Sequence, residues 1–335
     1  MKYLLIKGAA GLGDRMLGAA TGLLYARLTG RRPIVDWSDP RYSSDGSNTF
    51  LRYFDAPGVG DVDEISPTAS VAPEIWRGRL DHPVDPVRES TPAGSGPASW
   101  EQSCIDLMRT DHPEDLLVMW SHRQRIEWLR PHLRGDHAEF ARRSADAILK
   151  HVMETGMPPH PEIGDRVAAF RREWLQGQTV GVHVRYTDYL TRLDAIQRRL
   201  ERLLAGEDRL QVFVATDNSE VRDEFERSYG AVSAPHWYAE PGQPLHHSPD
   251  RDPFQVGFEA LVDLYLLTGC DHLIGDRASN FSKLAMLLTD APRSRVTDVQ
   301  SPKPRWPIPL RAAWRYTVPG PAAPLALAAA RRWAR

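Results

Sequence analysis

Cysteine is nearly absent: Cys104 and Cys270 are the only two, far apart and in no C-x-x-C pattern. That excludes a disulfide framework and a zinc knuckle. Charge of one sign is also lacking, since 42 Lys and Arg against 44 Asp and Glu leave a formal net charge of −2. Without a long-range positive field, general binding to nucleic acid is disfavoured and any phosphate contact must be local. Apolar runs are short, none approaching the roughly 20 residues of a membrane span. The start, MKYLLIK, has too small an apolar core for a secretory signal and runs into a glycine loop. The expected location is the cytoplasm, whose reducing conditions suit two unpaired thiols.

What is present is the composition of a folded enzyme-sized chain, with 41% hydrophobic and 26% charged residues over 335 positions. At about 150 residues per domain, that length suggests two units. Residues 3–6 read as a strand, with Gly8, Gly11 and Gly13 after it and Asp14 as N-cap of a helix over 15–28 that Gly30 stops. A second strand at 33–37 completes a strand–helix–strand unit, which implies parallel pairing. Residues 38–133 scatter Pro, Gly, Ser and Asp among isolated aromatics and show no long periodic helix. A strand is expected within 114–120 and a helix over 136–155, with Ala141, Ala145, Ile148 and Val152 on one face.

Alternation resumes near residue 179, with strands expected at 179–184, 210–215 and 271–275. Helices are expected at 193–204, 218–229 with Asp217 as N-cap, 253–268 stopped by Gly269, and 280–288. Such alternation marks a doubly wound α/β layer. The expectation is therefore two such α/β domains, 1–165 and 166–300, with a ligand cleft between them. A proline-rich segment and a terminal helix follow over 301–335. The basic end of that helix allows weak peripheral contact with a membrane, although docking or fraying is the plainer reading.

Polar residues gather where the second set of strands ends, and ligands sit at the carboxyl ends of strands in open α/β sheets. Arg185 offers a planar fork suited to a diphosphate, and His183, two residues earlier, shares its strand face. Thr216 and Asp217 follow the next strand. Asp217 can accept hydrogen bonds from the paired N–H donors of a guanine edge, or it can simply cap the following helix. Ser279, Asn280 and Ser282 mark a helix start, where free N–H groups favour phosphate. Gly11 and Gly13 let backbone approach a ligand, or form a plain tight turn; as a dinucleotide fingerprint the loop fails, because Met16 stands where a later glycine is required. The acidic pairs Asp61/Asp63 and Asp250/Asp252 follow no clear strand, and His246-His247 lacks spaced partners, so no metal is expected. Asn280-Phe281-Ser282 also spells a glycosylation acceptor, a coincidence in a chain expected to stay in the cytoplasm.

These segments together resemble the fucosyltransferases of the nodulation-factor and core α-1,6 type and, more loosely, the protein O-fucosyltransferases. The resemblance rests on G-L-G-D at 11–14, D-W at 36–37, G-V-H-V-R-Y-T-D at 181–188, A-T-D at 215–217, D-L-Y-L-L-T-G-C-D-H-L-I-G at 263–275 and S-N-F-S at 279–282. It implies a GT-B-like α/β fold of two facing Rossmann-like domains with a cleft between them, a GDP-fucose donor held mainly by the second domain, inversion at the anomeric carbon, and no metal or other cofactor. By matching position, Arg185 would grip the diphosphate, His183 would line the same pocket, Asp217 would read the guanine, and Ser279 with Ser282 would cap the phosphate. The catalytic base would be Asp188 or Asp194, the carboxylates just beyond the H-x-R strand. The acceptor, some hydroxyl of a glycan or small molecule, is not specified by these residues. Another nucleotide sugar as donor, or nucleotide and glycan binding without catalysis, are the alternatives.

Overall fold

The structure, a computed structural model, describes residues 1–94, 96, 98–187, 191–207, 209–238 and 251–300. Asp188, His246, His247, Asp250 and the whole of 301–335 lie outside the described residues. Two four-stranded sheets organise the rest. The first comprises β1 (Tyr3–Lys7), β2 (Arg32–Asp36), β3 (Val71–Ala72) and β4 (Leu116–Met119) in the order β2-β1-β4-β3. The second comprises β5 (Thr179–Val184), β6 (Gln211–Thr216), β7 (His272–Gly275) and β8 (Val296–Asp298) in the order β6-β5-β7-β8. Every pairing within both sheets is parallel, so all strand carboxyl ends of a sheet share one edge.

The helix Leu12–Thr29 buries residues on almost every side, including Leu12, Met16, Leu17, Ala20 and Leu24. It lies on the first sheet and is covered in turn by the helices Ala145–Gly156 and Asn280–Leu288. The last of these belongs to the second unit, so the two units share apolar core through it and through Pro253–Thr268. The Leu12–Thr29 helix begins three residues earlier than expected. Gly11, not Asp14, is its N-cap, and Asp14 sits in the first turn. Gly30 closes it in the left-handed region at φ 62, as the sequence implied.

The segment 38–133 compensates for its lack of long helices with aromatic packing. Trp37 is fully buried against Tyr42, Phe50, Tyr53 and Phe54. Trp76 and Trp120 both donate their indole N–H to the Ser103 carbonyl, at 2.7 and 3.2 Å. Each indole therefore removes a large apolar area from water without leaving its donor unsatisfied. Two expectations for acidic pairs resolve as caps. Asp61 caps the turn Val62–Glu64 in a reciprocal capping box, and Asp252 accepts the Phe254 N–H at the start of Pro253–Thr268.

Three further differences have local causes. The helix expected over 136–155 is a 3-10 turn at Gly135–Phe140 followed by Ala145–Gly156, because the Ser144 hydroxyl takes the Ala147 N–H and starts the helix there. The helix Pro161–Trp174 buries only Ile163 and Phe170, too few for a visible apolar period, and it crosses the expected boundary at 165. Asn218, not Asp217, caps Ser219–Tyr229 by accepting the Val221 N–H at 2.9 Å. Among the described residues no helix is long and apolar enough to cross a membrane.

Candidate active site

Strand β5 is buried along its whole length, and its alternation assigns two faces. Val180, Val182 and Val184 pack with Ile196, Leu200, Val221 and Phe225 on one side. Thr179, Gly181 and His183 point to the other. A Cβ on Gly181 would stand 3.0 Å from Cys270 Sγ and 3.1 Å from Leu267 Cδ2, so the missing side chain lets the end of Pro253–Thr268 close on the strand. His183, one pleat further on, meets the Asn280–Leu288 helix. Its ring stacks on Phe281 at 4.8 Å between centroids, and its Nδ1 is hydrogen-bonded to the Ser282 hydroxyl at 2.5 Å. Burial, aided by the neighbouring charge of Arg185, takes its pKa down to about 3. The ring is neutral at physiological pH.

Beyond the strand, Arg185 lies with Nε 4.0 Å from Asp217 Oδ2, and its backbone is tied to Thr191 in both directions. Asp217 accepts the Tyr186 N–H and the Thr187 hydroxyl, each at 2.6 Å. This carboxylate therefore shapes the turn after β5 while sitting at the end of β6. The loop after β7 is shaped in the same way, since Asp276 accepts the Ala278 N–H at 2.8 Å and leads into Ser279.

These strand ends face the glycine loop of the first unit across a cavity of about 510 Å³. Ala10, Gly11, Leu12, Gly13, Asp14 and Tyr42 form its first-unit wall. A Cβ on Gly13 would lie 3.1 Å from the Asn280 carbonyl carbon and 3.2 Å from the Phe281 nitrogen. Here the glycine admits the opposing helix start. Asn280 Nδ2 donates to Asp14 Oδ1 at 2.7 Å and links the two walls. Behind the loop, Arg15 is entirely buried: it donates to the Ala10 carbonyl at 3.0 Å, forms a two-pronged pair with Asp39, and stacks over Tyr42 at 4.5 Å. Ala10 adopts φ 57, a conformation non-glycine residues take up only when surroundings impose it.

Of the residues singled out from sequence, Gly11, Gly13, His183, Arg185, Asp217, Ser279 and Asn280 all line this cavity. The Ser279 hydroxyl is buried there without a hydrogen-bond partner among the described residues. Ser282 is not on the wall. Its hydroxyl is engaged by His183 and by the Asp276 N–H, so it supports the ring from behind. Asp194 is not brought to the cavity either; it is half-exposed in the first turn of Leu193–Leu204, paired with Arg198 at 2.6 Å. Among the described residues, no group of three or more His, Cys, Asp or Glu side chains is placed to hold a metal ion.

No family model matches the chain. A curated protein, nodulation protein Z of Bradyrhizobium diazoefficiens, is 24% identical over 327 residues, spanning 90% of this chain and 82% of that protein. The NodZ α-1,6-fucosyltransferase solved with GDP superposes with a TM-score of 0.60 at 22% identity, over 86% of this chain and 92% of that one. An Arabidopsis thaliana FUT1 mutant in complex with GDP gives 0.55 at 16% identity, over 88% of this chain and 72% of that one. The fold is that of the GT-B fucosyltransferases.

Sequence reasoning missed one side of the cavity in this fold. Glu259 and Asp263, one helical turn apart on Pro253–Thr268, both face it, together with His236 and Trp237. The signal was available: two acids at i and i+4 in an otherwise apolar helix share a face. Asp263 is buried, its Oδ2 lies 3.5 Å from His236 Nδ1, and burial raises its pKa to about 6. Glu259 accepts the Trp237 N–H at 3.2 Å and Gln255 Nε2 at 3.1 Å. Tyr42 carried no signal at all; only the fold of the 38–133 segment brings it to the cavity.

Proposed function

We propose that this chain is an inverting, metal-independent glycosyltransferase that moves L-fucose from GDP-fucose to a hydroxyl of a glycan or small-molecule acceptor. The observation that carries the reading is that Arg185 and the buried Ser279 hydroxyl, which has no hydrogen-bond partner among the described residues, line one cavity between the two sheets. A guanidinium fork and a helix start are two independent ways of holding a diphosphate, and here they converge. The NodZ fold in which they occur has been solved both with GDP and after soaking with GDP-fucose.

In this reading residues 166–300 hold the donor and residues 1–165 face the acceptor, in the cytoplasm. Arg185 neutralises the charge that builds on the departing diphosphate, a role a divalent metal would otherwise fill. Ser279 and the first amides of Asn280–Leu288 hold the phosphate oxygens. His183, neutral and fixed by Phe281 and Ser282, gives the donor a hydrogen-bonding edge without adding charge. Asp217, held at the end of β6, has further lone pairs to accept N–H groups of guanine.

Calorimetry with GDP and UDP, followed by turnover of GDP-fucose, tests this. GDP binds and UDP binds at least tenfold more weakly, and Arg185→Ala lowers donor consumption by about 100-fold or more, as loss of a transition-state charge partner does. Equal affinity for UDP, or parental turnover in Arg185→Ala, overturns the assignment.

A further inference from the structure

Among the described residues, four carboxylates line the cavity: Asp14, Asp217, Glu259 and Asp263. Three stand on the second unit, on the same side as the groups assigned to the donor. Both oxygens of Asp217 are engaged by the turn after β5, both oxygens of Glu259 accept hydrogen bonds, and Asp263 is buried beside His236. Asp14 alone stands on the first unit, across from Arg185. Inversion requires the acceptor oxygen to approach the anomeric carbon from the face opposite the leaving GDP, so its proton has to be taken from that side.

We infer, on the basis of the donor site proposed above, that Asp14 is the catalytic base. The acceptor oxygen bonds to the anomeric carbon and the bond from that carbon to the β-phosphate oxygen breaks. The bonding pair leaves with GDP, and the hydroxyl proton passes to the Asp14 carboxylate. The carboxylate is oriented by Asn280 Nδ2 at 2.7 Å and by the Gly11 amide. The loop that carries it is locked by Arg15 through the Ala10 carbonyl and Asp39. Burial raises its pKa, against the opposing pull of the Asn280 hydrogen bond and of the nearby His122 and Arg185 charges, which makes it a better proton acceptor than an exposed carboxylate.

The experiment uses the full-length protein, GDP-fucose, and two nucleophiles of known identity: water, which must lose a proton, and azide, which need not. In the parent, release of free fucose measures the water reaction. Asp14→Asn keeps the size of the side chain and the means to bond Asn280. It binds GDP within about threefold of the parent, loses hydrolysis by about 100-fold or more, and recovers GDP release when azide is added, with fucosyl azide as product. Hydrolysis at the parental rate in Asp14→Asn overturns the inference, and so does intact GDP binding with no recovery in azide, which would leave Asp14 as a tie between the two walls. A parent that binds no GDP overturns the donor reading and this inference with it; a parent that binds and consumes GDP-fucose while Asp14→Asn behaves identically overturns this inference alone.

Discussion

His183 makes acidification a quantitative probe of the site. The folded protein holds this imidazole neutral down to a pKa of about 3, whereas the unfolded chain protonates it near 6.5. Below 6.5 the unfolded state therefore binds more protons, and stability declines as the pH falls until the folded ring also titrates near 3. The loss approaches about 1.4 kcal/mol per pH unit, or roughly 2 kcal/mol between pH 6.5 and 4.5. Urea titrations of the parent and His183→Gln at those two pH values isolate the contribution, because Gln can still bond Ser282 but carries no titrating group. Other groups cancel between the two proteins, including Asp263, whose raised pKa of about 6 works in the opposite direction by adding stability as the pH falls from 6 towards 3.8. The parent loses roughly 2 kcal/mol more than the variant. Parallel losses in the two would mean that the ring is not held neutral, and the account of its packing would fail.

Two further substitutions probe the wall of the first unit. Gly13→Ala drives a Cβ to 3.1 Å from the Asn280 backbone, so the opposing helix start must retreat; stability falls by about 1–3 kcal/mol in urea titration, and donor turnover falls more than GDP affinity because Asp14 and Asn280 separate. Arg15→Met preserves volume but strands Asp39, whose side chain is 12% exposed. Loss of about 3–5 kcal/mol is expected, seen as a lowered midpoint in thermal unfolding, together with weakened turnover because the Ala10 carbonyl loses its anchor.

Strand ends were the legible part of this molecule. Continuous apolar runs followed by polar residues are decisive in parallel sheets, because burial on both faces leaves only the carboxyl edge free for chemistry. Arg185, His183, Asp217 and Ser279 were singled out in this way, and they line one cavity. Where function depends on direction rather than spacing, the sequence misled. Ser279 and Ser282 look equivalent, yet Ser279 is the N-cap, on extended backbone just outside the helix, whereas Ser282 lies within the first turn and bonds His183 from beneath. Asp194 looks close to the H-x-R strand in sequence, yet the helix start pairs it with Arg198 instead. The 38–133 segment stayed opaque because its order comes from single indoles bonding distant carbonyls, a form of packing with no period to read.

The distance in sequence between H-x-R and S-N-F-S has a physical meaning in the fold. Successive residues of a helix point about 100° apart, so one turn can address four separate partners, and this one does. Ser279 meets the cavity, Asn280 reaches Asp14 on the other unit, Phe281 stacks on the His183 ring, and Ser282 bonds the same ring and the Asp276 amide. The position of the β5 groups proposed to hold the donor, of the loop after β7 and of the carboxylate of the first unit is thereby set by a single rigid element. A displacement of that turn moves all three together, which in the proposed reaction preserves the alignment of nucleophile, anomeric carbon and leaving group on which in-line displacement depends. A site assembled from three independent loops would lose that alignment whenever any one of them shifted.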